Sequence, residues 1–214
     1  MLLWRSVPRL ATPLSTPLIP MPDPELHAAI RSDAPGWKRQ VFDEFHGLVH
    51  GLFMRSLGPR AEISDLVGDA FVTFFENAHR IRTAEAIRSY LVSIVMNLVR
   101  REVRRRKRRE LLYRLSGAPG ELEHEPGQDD PKAKAALIQL SRILDDLSAD
   151  ERAAFVLHSL EGMRLAEIAE ILRVSLSTAK RRVQRANEHV LKRVSRNALL
   201  ADYIRDKSER TPRA

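Results

Sequence analysis

The residues best equipped for chemistry are cations, gathered in two runs. Ser177, Thr178, Lys180, Arg181, Arg182 and Arg185 share one face of a helical stretch, with Gln184 near its edge. These side-chain types pair with phosphates and hydrogen-bond base edges in a DNA major groove. The second run, Arg100, Arg101, Arg104, Arg105, Arg106, Lys107, Arg108 and Arg109, follows Tyr90 and Asn97. A tyrosine ring can stack on an unpaired base, an amide can bond its edge, and arginines can hold the backbone. Tyr90 reads equally as partly buried core, and each cation run reads alternatively as a solvated face. Asp65 and Asp69 put two carboxylates at i and i+4 on one helix face, suited to a basic partner or to plain solvation. His46 and His50 are also four apart, but Gly47 stands where a metalloprotease helix needs Glu, and no third ligand is evident. They read as surface histidines. With no glycine-rich phosphate loop, nucleophile elbow or paired carboxylates in a pocket, no catalytic residue, cofactor or metal is expected.

These side chains need helices to position them. Apolar residues recur with a helical period through most of the chain, and two-residue alternation is not found. From Asp33 and Pro35 a helix carries Val41, Phe42, Phe45, Leu48, Val49, Leu52 and Phe53 inward and stops at Gly58-Pro59. Ser64 is placed to cap a second, striped by Leu66, Val67, Ala70, Phe71, Phe74 and Phe75. Thr83 can cap a third, with Ile87, Leu91, Ile94, Val95 and Leu98 inward, which runs out into the arginines. Pro131 opens a further helix bearing Ala136, Leu137, Leu140, Ile143, Leu144 and Leu147. Ser148 and Glu151 have the spacing of a capping box, and the helix they start ends at Gly162. Leu165, Ile168, Ala169 and Leu172 make a short helix, a tight turn follows at Arg173–Ser175, and a long helix takes Leu176, Ala179, Val183, Ala186, Val190 and Val194 inward. Helix, tight turn, basic helix: Leu165 to Arg185 is laid out as a helix-turn-helix, with Ser175 capping the second helix. An antiparallel hairpin with a solvated basic face is the alternative.

Composition agrees with a polyanionic partner. Thirty-six Lys and Arg against 28 Asp and Glu leave +8 over 214 residues, with a pI near 10.3, which favours nucleic acid first and an anionic membrane surface second. Cysteine is absent, excluding disulfides, thiolate zinc sites and cysteine nucleophiles. Charged residues interrupt every apolar stretch in the body of the chain, so no membrane insertion is expected. Residues 1–24, with Pro8, Pro13, Pro17, Pro20, Pro22 and Pro24, read as a disordered leader, Met21 being an alternative start. Between Gly117 and Pro131 stand Glu121, Glu123, Glu125, Asp129 and Asp130 without a Lys or Arg. That stretch reads as a flexible acidic linker. The expected architecture is therefore all-α: a helical domain over 25–114, a linker over 115–131, a helix-turn-helix domain over 132–196 and an extension over 197–214.

The residues also carry a resemblance. Glu161-Gly162-Met163-Arg164-Leu165-Ala166-Glu167-Ile168-Ala169-Glu170 and Val174-Ser175-Leu176-Ser177-Thr178-Ala179-Lys180-Arg181-Arg182 resemble the C-terminal DNA-binding domain of extracytoplasmic-function sigma factors, of the sigma-70 family. Arg164 departs from the family's capping Ser or Thr, and Arg173 from its turn glycine. Asp65-Leu66-Val67-Gly68-Asp69-Ala70-Phe71 resembles the family's polymerase-core-binding motif, Gly68 replacing Gln. Ser89 to Arg101 resembles its segment for the melted −10 element, Met96 standing where Arg is frequent. The resemblance covers about residues 37–110 and 133–195. It implies a sigma factor that binds core RNA polymerase through Asp65, Leu66, Asp69 and Phe71. The −35 element would meet Ser177, Thr178, Lys180, Arg181, Arg182 and Arg185; the melted −10 element would meet Tyr90, Asn97, Arg100, Arg101 and Arg104. An anti-sigma factor is a further conceivable partner, and the cytoplasm is the expected compartment. The competing class is a helix-turn-helix regulator that binds duplex DNA without polymerase.

Overall fold

The computed structural model describes residues 24–116 and 131–197. The acidic linker between them, the leader and the C-terminal extension lie outside the described residues. All described regular structure is helical. It falls into two compact units, each with its own core.

The first unit holds α1 (Pro24–Arg31), α2 (Trp37–Leu57), α3 (Ile63–Asn77) and α4 (Glu85–Ser116). α1, a two-turn helix ahead of the periodic stretch that starts at Asp33, buries Leu26 and Ile30. Asp33 and Pro35 do not open α2. Gly36, at φ 87°, forms its N-cap, a left-handed conformation that glycine adopts without strain. Asp33 instead accepts the Trp37 indole N–H at 2.8 Å. Val41, Phe45, Val49, Leu52 and Phe53 are buried as the period requires, whereas Phe42, taken for core, is 40% exposed. Gly58 closes α2 with φ 77°. Ser64 does not cap α3: the helix begins one residue earlier, and Glu62 at its N-cap makes no side-chain capping bond. Leu66, Val67, Ala70, Phe71 and Phe74 are buried, each large side chain stabilising the unit by about 1.5–3 kcal/mol. A short 3-10 turn, Ala78–Arg80, leads toward α4.

α4 is a single helix of 32 residues. Its inner face is Ile87, Leu91, Val92, Ile94, Val95, Met96, Val99 and Val103. Met96, which stands where the resembling family often has Arg, is therefore core.

The second unit holds α5 (Pro131–Asp145), α6 (Ala149–Phe155), α7 (Leu165–Leu172) and α8 (Leu176–Val194). The Ser148–Glu151 capping box is present. α6 runs on into a π-helical turn, Val156–Leu160, and Gly162 ends the segment at φ 70°. Ile143, Leu144, Leu147, Phe155, Val156, Ala186, Val190 and Val194 form one buried cluster, with Leu140 packed on its edge. Alanine at 179 and 186, fully buried, lets α8 lie close to its neighbours. Leu176, taken for an inward residue, is 55% exposed: it opens the first turn of α8.

Candidate nucleic-acid interface

α7, a turn and α8 form the helix-turn-helix, and its local chemistry is well defined. At the N-terminus of α7, Glu167 accepts the Arg164 backbone N–H at 2.8 Å and pairs with its guanidinium at 3.2 Å. Glutamate thus supplies its own half of a capping box; the other half, a side chain at 164 accepting the Glu167 N–H, is one a guanidinium cannot make. The turn residue Arg173 is left-handed, φ 53° and ψ 52°. Its N–H and that of Val174 close the helix end on Glu170 O and Ala169 O. Ser175 caps α8: its Oγ accepts the Thr178 N–H at 3.2 Å and lies 3.0 and 2.9 Å from the hydroxyls of Ser177 and Thr178. The cap aims the free amides of the first turn outward, where the helix dipole favours a phosphate.

Along α8, Ser177, Lys180, Arg181, Gln184 and Arg185 are exposed; Gln184 bonds Glu188 at 3.0 Å. Arg182 stands apart. It is only partly exposed, and its Nη2 donates to Asp150, in the first turn of α6, at 3.3 Å. Farther along, Asp146 accepts from Arg193 at 2.7 Å and lies 3.4 Å from His189. Arg152, 1% exposed, donates from Nε to Leu144 O at 3.0 Å and from Nη2 to Asp145 at 2.6 Å. The acids of the α5–α6 joint therefore hold part of the cationic charge of this unit on its own body. Sequence reasoning missed them. Arg182 and Asp150 are 32 residues apart, and no periodicity links them.

In the first unit, Tyr90 is partly buried, its ring 5.9 Å from that of Phe74, so both readings of it keep support. Asn97 is exposed and accepts a hydrogen bond from Arg100. Arg101 and Arg104 are exposed, Arg101 lying 3.9 Å from Asp69 of α3. The remaining arginines divide around a residue that sequence reasoning overlooked. Glu102 is buried and accepts from Arg105 Nε at 2.6 Å and Arg106 Nε at 2.7 Å, with Arg109 at 3.6 Å. Burial pushes its carboxyl upward, but the hydrogen bonds from Arg105 and Arg106 outweigh this and hold it below the ordinary 4.5. The clue was the i, i+3, i+4 spacing of one acid inside an arginine run.

α3 carries the four residues of the polymerase motif on two faces. Leu66 and Phe71 are buried, whereas Asp65 and Asp69 are exposed. Gly68 and Val72, the latter 57% exposed, complete an outward stripe at i, i+3, i+4 and i+7. A Cβ at Gly68 would meet nothing within 4 Å, so no packing within this unit requires glycine there. His46 and His50 lie exposed on α2 with their rings stacked 6.0 Å apart. Among the described residues no cluster of three or more ligands could hold a metal, and no helix is long and apolar enough to cross a membrane.

Both units have counterparts in known proteins. The sigma-70 region 2 family model matches residues 41–109, and the sigma-70 region 4 model matches residues 137–190. The ferric citrate uptake sigma factor FecI of Escherichia coli is 29% identical over 157 residues, covering 71% of this chain and 87% of that protein. CnrH, an RNA polymerase sigma factor of Cupriavidus metallidurans, is 29% identical over 151 residues, covering 66% of this chain and 78% of CnrH. A solved structure of CnrH with the cytosolic domain of CnrY shares the fold at TM-score 0.59 and 22% identity, covering 83% of this chain and 100% of that one. The exposed cations of α8, the arginine helix α4 and the acidic stripe of α3 thus fall within the two regions that the family models match, and the chain belongs to the sigma-70 family as an extracytoplasmic-function RNA polymerase sigma factor.

Proposed function

We propose the following division of labour for promoter recognition by this sigma factor. α8 reads the duplex −35 element, with Arg181, Arg185, Lys180 and Ser177 on base edges and phosphates. Thr178 and Arg182 support the same surface from partly buried positions. α4 captures the melted −10 strand, with Asn97 and Tyr90 at bases and Arg100, Arg101 and Arg104 along the backbone. α3 docks on core polymerase through Asp65 and Asp69, while Leu66 and Phe71 hold that face from inside. The close approach of a partner is the role left for Gly68, an exposed helical glycine that costs about 1 kcal/mol relative to alanine.

One observation carries this reading. Exposed cations stand on one helix of each of two compact units, and the first unit adds an exposed acidic stripe on a neighbouring helix. A duplex-binding regulator acting alone has no use for that second charge pattern. Anti-sigma control belongs to the proposal because two similar folds were solved with CnrY and with the anti-sigma factor NepR. The reading assigns no catalytic step, cofactor or metal to the chain, and its place of action is the cytoplasm.

The test is transcription in vitro with purified core polymerase on the DNA upstream of the chain's own gene. A discrete start that depends on the protein is expected. Arg181→Gln with Arg185→Gln should lower initiation by at least ten-fold, each base contact being worth roughly 1–3 kcal/mol. Asp65→Asn with Asp69→Asn should weaken association with core while leaving duplex binding unchanged. Tight, specific duplex binding with no association to core would instead support the regulator.

A further inference from the structure

α8 opens on a leucine that its own fold leaves uncovered. Leu176 is the first residue of the helix, directly after the Ser175 cap. At 55% it is the most exposed large apolar side chain among the described residues of the second unit. Packing of α8 does not call for it: Ala179, Val183, Ala186 and Val190, none more than 2% exposed, already hold the helix on its unit. Lys180 follows Leu176 by four residues, which sets the two side chains next to each other on the helix surface. Lys180, Ser177 and Arg181 are all exposed. The hydroxyls of this turn are engaged with one another. Ser175 Oγ accepts the Thr178 N–H at 3.2 Å and lies 3.0 and 2.9 Å from the hydroxyls of Ser177 and Thr178. The tip of α8 therefore presents an aliphatic side chain set among cations.

We propose that Leu176 is a specificity-determining residue of the −35 contact, packing on the C5-methyl group of one thymine in the major groove. The proposal deepens the reading of α8 as the duplex-reading helix and rests on it. In a helix-turn-helix the N-terminal residues of the second helix are those that reach base edges, and Leu176 stands first among them. The thymine methyl is the one apolar group that base edges present in the major groove. A leucine brought against it removes apolar surface of both partners from water. A protein partner suits this leucine less well. The core of a protein interface is depleted in charge, whereas the cations beside Leu176 match the phosphates that border a groove. Lysine and arginine then supply polar and phosphate contacts, and Leu176 tells thymine from cytosine at one position, since cytosine carries hydrogen where thymine carries the methyl.

The experiment measures binding of the full chain with core polymerase to a fluorescein-labelled duplex from upstream of its own gene. Each thymine of the footprinted −35 element is replaced in turn by deoxyuridine, which removes the methyl and leaves every hydrogen-bonding group of the base in place. At one position the native chain should lose about four-fold in affinity, the worth of roughly one buried carbon. Leu176→Ala should bind the unmodified duplex more weakly by a similar factor and be indifferent to deoxyuridine at that position. Leu176→Met, which keeps an apolar tip, should keep the discrimination. Equal losses on thymine and deoxyuridine for Leu176→Ala would overturn the proposal, as would a native chain indifferent to every one of these methyls. Weaker association of Leu176→Ala with core polymerase itself, with the methyls without effect, would put a protein on this leucine and equally overturn it. Arg181→Gln with Arg185→Gln separates the two levels. If that variant binds the duplex as the native chain does, α8 does not read it and the proposal falls with that reading. If it binds more weakly while no methyl matters, only the role of Leu176 fails.

Discussion

α4 and α8 are both long helices crowded with arginine and lysine, and each turns some of its cations away from solvent by a different device. On α4 the acid lies on the same helix, buried, with its partners three, four and seven residues away. On α8 the acids come from the α5–α6 joint, 32 to 47 residues distant, and remain partly exposed. The contrast teaches that a count of basic residues overstates a nucleic-acid surface. It also shows that the energetic weight of the sorting acid follows its burial. A buried acid that loses its charge leaves arginines without compensation, whereas an exposed pair exchanges readily with water.

The largest effect that probes this contrast is expected at Arg152, the one fully buried arginine among the described residues of the second unit. It completes the α5–α6 joint from which Asp146 and Asp150 reach α8. Arg152→Ala removes the hydrogen bonds to Leu144 O and Asp145 and a large buried side chain, and should destabilise the second unit by about 3 kcal/mol. Amide hydrogen exchange across α6 and α8 measures this without assuming that the whole chain unfolds in one step. If the loss stays below about 1 kcal/mol, the joint is not what fixes α8, and the comparison fails on that side.

Next comes Glu102→Gln, expected to cost the first unit about 2 kcal/mol near neutral pH. Its pH dependence is diagnostic. The folded-state carboxyl titrates below the ordinary 4.5, so its charged form stabilises the fold fully above that pH. The contribution disappears as pH falls toward the depressed folded value. The stability gap between native chain and variant should therefore be flat above pH 5 and narrow below about 4.5. A gap independent of pH would mean that shape, not charge, gives Glu102 its weight.

These two residues also mark how far the sequence could be read. Local signals were legible. The Ser148–Glu151 box, the Ser175 cap, the stop at Gly58 and the helix-turn-helix spacing all depend on contacts within four residues. Glu102 lay within the same range but was hidden among arginines all taken as alike. Met96 stands where the resembling family often has Arg, yet its spacing from Val92, Val99 and Val103 is that of a core stripe, and it is buried. Leu176 was taken for core because helical periodicity does not say where a helix begins to overhang its neighbours. Ser64 was taken for a cap because a serine near a helix start is a common signal, yet the helix began at Ile63. Asp146 and Asp150 were out of reach altogether. Their partners are distant in sequence, and only the tertiary fold brings them within bonding distance. At the proposed polymerase face, the spacing sets Asp65 and Asp69 apart from the apolar stripe that holds Leu66 and Phe71, and the structure exposes the first pair and buries the second.

A smaller effect is expected at the turn that launches α8. Arg173 occupies left-handed backbone at φ 53°, which costs a non-glycine residue roughly 1 kcal/mol. Arg173→Gly removes that strain but gives the unfolded chain more freedom, so a net stabilisation of about 0.5 kcal/mol is expected from urea unfolding followed in the second unit. Duplex affinity should change little, because the cap at Ser175 and the exposed face of α8 are untouched. A marked loss of affinity would show that the Arg173 side chain itself reaches the DNA, and the nucleic-acid face of this unit would then have to include the turn.

The smallest effect is the one that bears most directly on the comparison. Asp146 receives Arg193 at 2.7 Å with both side chains about half exposed, 54% and 42%, and exposed pairs of this kind are worth roughly 0.2–1 kcal/mol. Asp146→Asn should therefore cost a few tenths of a kcal/mol, against about 2 for Glu102→Gln, although both acids hold more than one basic partner. The salt response should differ in the same way. In 1 M salt the Debye length falls to about 3 Å, so the Asp146→Asn penalty should vanish while that of Glu102→Gln persists. If the two penalties instead prove equal and fade together, burial is not what separates α4 from α8. The two helices would then hold their cations by one and the same device.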